Sequence, residues 1–574
     1  MAKINLVIDG VNVTVEEGTT ILDAAKSVGI NIPTLCYYKD LSDIGACRIC
    51  VVEVEGQPKL NAACNTLCAE GMVVKTNSRR VMKARETNLK LILSKHDGYC
   101  PACTRNGNCK LQDLASDMNI YHIPYERTIL KTTWDTSLPF IRREGKCIMC
   151  MRCIEVCDKI QGCNVWDLIG TGSHARVGVR DGLDLNAAGC AMCGQCVTHC
   201  PVGALFERDD TEKLLDAIDD PNKVVVAQVA PAVRSAWGDG IGLDPELATE
   251  KRMAAAMRRL GVDYVFDTNF TADLTIMEEG SEFIERMTHP GEYKMPMFTS
   301  CCPGWVRFVK LHYPELVNNL STAKSPQQMF GAVAKSYFAE KIGKNPEDIF
   351  CVSLMPCTAK KFECDVNEVN DATDKDVDMV LTTREFDRLI RKLNIDAANI
   401  PEEEFDSPLG SGTGAAVIFG ATGGVMEAAL RSAYYLITGE NVDADAFSEV
   451  RGLWGWRDAK FKAGDIEVRV AIASGLANAR ALIEEVLAGR AEYDFIEIMA
   501  CPGGCAGGGG QPIKDGEELA GVRKERLYEI DKKNPLRRSH ENPDVLAIYE
   551  EFFEKPLSHK SHELLHTKQE DWSL

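Results

Sequence analysis

The sequence has no apolar run long enough to cross a bilayer; "VVVAQVAPAV" (224–233) is among the longest and reads as a buried strand. It opens on "MAKINLVIDG", an alternating strand without the apolar core or small-residue cleavage site of a leader, so export by that route is not expected. Positive charge is in deficit. There are 65 Lys and Arg against 85 Asp and Glu, a net charge of −20. That balance argues against nucleic acid or an anionic membrane as the main partner. Nucleotide signatures are missing too: "GSGTG" (410–414) is not G-x-G-x-x-G, and there is no Walker motif. The expected setting is a reducing cytoplasm.

Cysteine is what the chain has in plenty. Of 24 cysteines, 17 fall in residues 1–200 and only seven in the remaining 374. A disulfide frame would suit a small secreted protein, whereas short repeated spacings are metal-ligand behaviour. Residues 1–80 read as strands ("INLVIDGVNVTV"), a helix ("TILDAAKSVG") and a loop with Cys36, Cys47, Cys50 and Cys64 as C-x10-C-x2-C-x13-C. This resembles 2Fe–2S ferredoxin-like (β-grasp) domains of large redox enzymes, with a zinc site as the rival reading. In residues 81–126, His96, Cys100, Cys103 and Cys109 form H-x3-C-x2-C-x5-C. Alone this could be a zinc knuckle; in context it resembles the His-plus-three-Cys 4Fe–4S domain of hydrogenases and of respiratory complex I.

Residues 127–209 hold a repeat, "CIMCMRCIEVC" and "CAMCGQCVTHCP", both C-x2-C-x2-C-x3-C. In this bacterial two-cluster ferredoxin pattern the fourth cysteine of each run serves the other cluster. One 4Fe–4S cluster is therefore expected on Cys147, Cys150, Cys153 and Cys200, the other on Cys190, Cys193, Cys196 and Cys157. Pro201 follows Cys200 as usual, but Asp158 follows Cys157. Cys68, Cys163, Cys351 and Cys364 lie off the patterns and read as structural. Four accessory clusters in one chain make a wire, and the chemistry must sit at its end.

From about residue 210 the pattern becomes alternating strands and helices, an α/β domain over 210–574. Three strand candidates run into cysteine: "MFTSCCPGW", "SLMPCTAKK" and "IMACPGGCAGGGGQP". Ligands of open α/β sheets bind beyond the carboxyl ends of strands, so Cys301, Cys302, Cys357, Cys501 and Cys505 are candidates for one pocket.

These motifs resemble the signatures of the iron–iron (FeFe) hydrogenases, and the cluster order is similar to the monomeric clostridial type. The resemblance covers essentially the whole chain, including "SPQQMFG" (325–331), "GATGGVMEAALR" (420–431) and "SHELLHT" (561–567). It implies reversible reduction of protons to dihydrogen at an H-cluster. That cofactor is a 4Fe–4S cubane joined to a diiron unit with CO, cyanide and an azadithiolate, which maturation proteins would supply. Carried over by position, Cys302, Cys357, Cys501 and Cys505 hold the cubane, with Cys505 bridging to the diiron unit. Cys301 becomes the proton-relay thiol of a route through Glu279, Ser321, Glu282 and Arg286 near the surface. A thiol and carboxylates can accept and release protons, and Glu279 and Glu282 are i,i+3 on one helix.

The resemblance further implies that Lys360 contacts a cyanide and that Met355, Met499, Pro231, Ala232 and Gln327 line the pocket. Ala232 stands where some members have serine, and Gly507 where asparagine is frequent. Ferredoxin is the implied electron partner. The segment 75–95 carries seven basic residues and one acidic, a candidate dock for it. Rival readings are an electron-relay subunit, for which the three cysteine motifs of the second half are out of place, and an assembly or sensory protein, which would not be expected to keep the full relay.

Overall fold

The computed structural model describes residues 2–464 and 466–569. Near the N-terminus the alternating pattern folds as a hairpin: Lys3–Ile8 pairs antiparallel with Val11–Glu16 across Asp9 and Gly10, both at positive φ. Val73–Lys75 adds in parallel to complete a five-stranded mixed sheet with Val51–Val54 and Asn61–Ala62. Helix Ile21–Ser27, capped by Thr20, lays its apolar face on the sheet core of Ile8, Val52 and Val74. The cysteine loop lies along this unit. Helix Arg79–Ser94 follows, capped by Ser78.

The repeated cysteine runs fold alike. Short helices Arg152–Glu155 and Gln195–Thr198 each start after a left-handed residue, Met151 or Gly194. Met149 and Met192 repeat the left-handed turn two residues earlier. In both runs the N–H of that methionine donates to the first cysteine sulfur at 3.4 Å.

The strand candidates of the second half, "VVVAQVAPAV" and the three runs into cysteine, contain strands, and the domain builds two four-stranded sheets. Val224–Val229, Tyr264–Asp267, Ile349–Met355 and Met379–Thr382 form one, all parallel. Met297–Phe298, Phe495–Met499 and Ile466–Ser474 form the other, closed by the antiparallel edge strand Gly455–Ala463. Met379–Thr382 and Gly455–Ala463 were marked by no motif. The helix expected around "MEEGSEFIERM" is longer, Thr268–Thr288, starts from an Asp267 cap and is buried along most of its length. "GSGTG" is a loop whose Thr413 caps helix Gly414–Ile418. No described helix is long and apolar enough to cross a membrane.

Buried polar contacts hold these units together. The fully buried Arg152 donates to the carbonyls of Leu35, Cys36 and Tyr37 at 2.8–3.1 Å and to Asp515 at 2.6 Å. Arg307 donates to Cys190 O at 2.7 Å. Gln195 reaches Gly507 O at 2.9 Å, and Thr358 donates to Met192 O at 2.9 Å. Close backbone approach requires glycine here: a Cβ on Gly509 would stand 2.4 Å from Cys193 O.

Arg152→Met leaves three carbonyls and a carboxylate without their donor, at a cost of about 3 kcal/mol. Amide deuterium uptake over residues 34–38 of the iron-loaded protein should rise sharply. Unchanged protection there would show that the N-terminal unit is held by something else.

Candidate catalytic site and metal cages

In the first 209 residues the structure gathers the first and the two ferredoxin-like cysteine groups as the spacings group them. In the first, the N–H groups of Cys36 and Cys47 each point at the other's sulfur, at 3.4 and 3.5 Å, and the sulfurs of Cys50 and Cys64 are 3.4 Å apart. Cys68 is buried in the sheet core. In the second, His96 is buried, with Nδ1 on the Lys146 carbonyl at 3.0 Å, which leaves Nε2 to face a metal. Burial pushes the His96 pKa down to about 4, the neutral form a ligand requires.

Cys147, Cys150, Cys153 and Cys200 line one cavity, and Cys157, Cys190, Cys193 and Cys196 line a second. The exchange of the fourth cysteine between runs is thus present in the backbone. Cys163, expected to be structural, also faces the second cavity, its thiol donating to Gln161 O at 3.4 Å.

The donor sets fit iron–sulfur clusters. Sulfur is soft, and backbone N–H groups face it. Arg105, buried among Cys109, Cys200 and Asp515, has Nε and one terminal nitrogen without a protein partner, as suits an electron-rich cluster nearby.

Both outer cysteine groups adjoin the ferredoxin-like pair: Arg152 of its first run binds the carbonyls of Leu35, Cys36 and Tyr37. A Cβ on Gly203, just past Cys200, would stand 2.5 Å from Cys103 Sγ, so the His-containing cage abuts the ferredoxin pair. At the other end, Cys501 exerts the largest charge effect on Cys193.

Beyond Cys193 lies a cavity between the two sheets. Strands Met297–Phe298, Ile349–Met355 and Phe495–Met499 deliver Cys301 and Cys302, Cys357, and Cys501 and Cys505 to its wall. Pro231, Ala232, Met355 and Met499 make the wall largely apolar, and Thr268, Gln327 and Lys360 add polar side chains to it. Four soft donors in an apolar chamber with one cationic side fit a cubane carrying an anionic extension. Ala232 brings no hydroxyl. At Gly507 a Cβ would stand 2.1 Å from Pro502 O, so an asparagine requires the loop to shift.

Lys360 Nζ donates to Cys301 O at 3.2 Å and to Glu363 at 2.8 Å. Glu363 also accepts from Ser325 and Gln327, so it holds the cation in place. Sequence reasoning missed Glu363; its i,i+3 spacing from Lys360 was the available signal.

Cys301 is buried, and Glu279 is the charge that bears most on its thiol. Neither Glu279 oxygen has a well-formed hydrogen bond, although the Ser321 side chain and the Ser300 backbone lie close enough to favour its ionised form. Ser321 Oγ donates to Glu282 at 2.7 Å, and Arg286 donates to Glu282 at 2.5 and 3.1 Å. The structure therefore brings the five relay candidates into one region. Arg286, expected near the surface, is only 4% exposed itself and lines an open cavity with Glu285 and Tyr293. Its guanidinium is drawn inward by Glu282 and by Leu320 O at 2.9 Å.

Residues 223–509 match the family model described as iron only hydrogenase large subunit, C-terminal domain. Residues 1–79 match a 2Fe–2S iron–sulfur cluster binding domain, 85–124 an NADH-ubiquinone oxidoreductase-G iron–sulfur binding region, and 517–571 an iron hydrogenase small subunit. The NADP-reducing hydrogenase subunit HndD of Solidesulfovibrio fructosivorans is 49% identical over 99% of both chains. Iron hydrogenase 1 of Clostridium pasteurianum is 38% identical over 98% of this chain and 99% of its own. The solved structure of apo FeFe-hydrogenase HydA1 from Chlamydomonas reinhardtii is similar at a TM-score of 0.56 and 45% identity, covering 62% of this chain and 98% of that one.

Burial, reinforced by the Glu282 charge, pushes the Glu279 pKa from 4.5 up to about 8. The carboxyl is protonated below that value and ionised above it. A protonated-carboxyl C=O infrared band should disappear on titration through about pH 8 and be missing from Glu279→Gln. A band absent at neutral pH would show that Glu279 is already ionised there.

Proposed function

The chain belongs to the iron-only (FeFe) hydrogenase family, and on that premise we propose a residue-by-residue assignment of its chemistry. The enzyme interconverts protons and dihydrogen, with electrons carried by an iron–sulfur relay to an H-cluster. The observation that carries the assignment is the arrival of five cysteines from three strand ends in one buried apolar chamber, with Cys193 behind it.

In this reading Cys302, Cys357, Cys501 and Cys505 would hold the H-cluster through its cubane. When bound, the H-cluster supplies the iron site at which two protons and two electrons become dihydrogen. Lys360, fixed by Glu363, presents a charged donor to an anionic ligand. Pro231, Ala232, Met355 and Met499 exclude water, and Gln327 adds a polar contact. Cys301 is the free thiol that passes a proton to or from Glu279, and Ser321, Glu282 and Arg286 carry it outward. Glu279 suits this task because its raised pKa lies near neutrality, where it can both give and take a proton.

The accessory set is one 2Fe–2S cluster in residues 1–80, one His-containing 4Fe–4S cluster in 81–126 and two 4Fe–4S clusters in 127–209, with the catalytic domain in 210–574. Maturation proteins deliver the diiron unit, and the enzyme works in the cytoplasm. In anaerobically matured protein, CO and cyanide infrared stretches should respond to hydrogen; their absence from fully matured material defeats the assignment. Cys301→Ser should keep those bands and lose most turnover, at least about a hundredfold. Cys302→Ser should lose or distort the cubane by electron paramagnetic resonance. The reverse pattern would exchange the two roles.

Ferredoxin or a similar small acidic protein is the proposed electron partner. Arg79, Arg80 and Lys83 are exposed on helix Arg79–Ser94, although Arg85 is buried against Val51 O and Lys90 is paired with Glu86, so the basic face is narrower than its composition suggests. The full-length likeness to a subunit named for NADP reduction supports a second reading, in which a nicotinamide-linked partner takes the electrons. Replacing Arg79, Arg80 and Lys83 by Glu should raise the KM for ferredoxin severalfold and spare activity with a small dye. Equal KM values for both proteins would remove ferredoxin from this face.

A further inference from the structure

The C-terminal segment reaches into the outer half of the proposed proton route. Residues 565–567 run antiparallel to 322–324: Ala323 and His566 form a bridge, Lys324 N–H donates to Leu565 O at 2.8 Å, and Thr567 N–H to Thr322 O at 2.8 Å. This pairing begins one residue after Ser321. Gln569 adds a bond from its Nε2 to Ser321 O at 2.8 Å.

His566 is buried and engaged on both ring nitrogens. Nε2 is 3.1 Å from Glu278 Oε2, and Nδ1 is 2.8 Å from Thr322 Oγ1. Glu278 is itself fully buried and accepts from Tyr549 O–H at 2.6 Å and from Leu557 N–H at 2.9 Å. A carboxylate so arranged takes an N–H from the imidazole, so Nε2 carries the proton and Nδ1 accepts from the Thr322 hydroxyl. The Thr322 backbone N–H in turn donates to both Glu282 oxygens, at 3.2 and 3.1 Å. Glu282 is the group that Ser321 and Arg286 share.

We propose that His566 is a positioning residue for proton transfer: anchored on Glu278, it fixes Thr322 so that the Thr322 amide keeps Glu282 aligned with Ser321. The proposal rests on the route through Ser321 and Glu282 given above. It assigns a task to the region that matches an iron hydrogenase small subunit, which supplies Tyr549, Leu557, His566 and Gln569 to this network. An aligned donor–acceptor pair matters because a displacement of about 1 Å costs up to roughly a hundredfold in rate.

The test uses the matured full-length enzyme with a small dye donor. His566→Ala should lower kcat by about tenfold, leave the KM for the dye and the CO and cyanide bands unchanged, and raise the solvent deuterium isotope effect on kcat. His566→Asn, whose amide oxygen can replace Nδ1 as acceptor, should recover most of the loss. Thr322→Val, which keeps the amide and removes the hydroxyl, should behave like His566→Ala and decides the matter if that variant does not fold. Wild-type kcat and isotope effect in both His566→Ala and Thr322→Val overturn the proposal, as does a loss that comes with altered bands and no rescue by asparagine. Glu282→Gln separates the two levels. If it turns over normally, the route itself is wrong; if it is slow while His566→Ala is not, the route stands and the clamp falls.

Discussion

Buried guanidinium groups hold the cysteine cages to one another, and the rest of the molecule depends on that contact. Arg152 binds three carbonyls of the loop around Cys36, and Arg307 binds the carbonyl of Cys190. Arg384 joins Glu207 to the carbonyls of Gly509 and Gln511 beside the catalytic cavity. Electron transfer weakens steeply with distance, so cages that drifted apart would leave each cluster intact and the wire cut. A planar, always-charged fork serves here where lysine would not, because one side chain must satisfy several carbonyls in a fixed geometry.

In the proposed assignment the electron and proton routes leave the cavity in different directions. On the proposed electron side, Cys193 packs against Gly509 and the loop of Cys501. The proposed proton side is that of Cys301, helix Thr268–Thr288 and the segment after Ser321. The adjacent pair Cys301 and Cys302 lies where the two systems meet. Its extended backbone sends neighbouring side chains to opposite faces, which lets one position serve the metal and the other the proton.

The cages were the most legible part of the sequence, because ligand spacing is local: C-x2-C fixes two sulfurs on one turn wherever the chain goes. The swapped fourth cysteine was legible for the same reason, from the repeat of one pattern. Convergence of Cys302, Cys357 and Cys501 could be read from strand order, since all three follow parallel strands. The proton carboxylates were legible only through resemblance to a family, because Glu279 and Glu282 have a spacing any solvated helix offers. Arg152, Glu363 and His566 were not picked out as site residues. Arg152 and His566 work through partners far off in the chain, and no periodicity encodes such a contact. Arg85 was misread as surface charge for a related reason: only the folded chain brings Val51 O to receive it.

The twin ferredoxin turns carry Met149, Met151 and Met192 in the left-handed region, a conformation that costs a side chain with a Cβ on the order of 1 kcal/mol each. Iron–sulfur bonds offset that cost when the cages are filled, and an empty cage keeps the strain without the bonds. Clusters that bind only the folded cages stabilise the fold by mass action, so the loaded chain should resist unfolding more than the unloaded one.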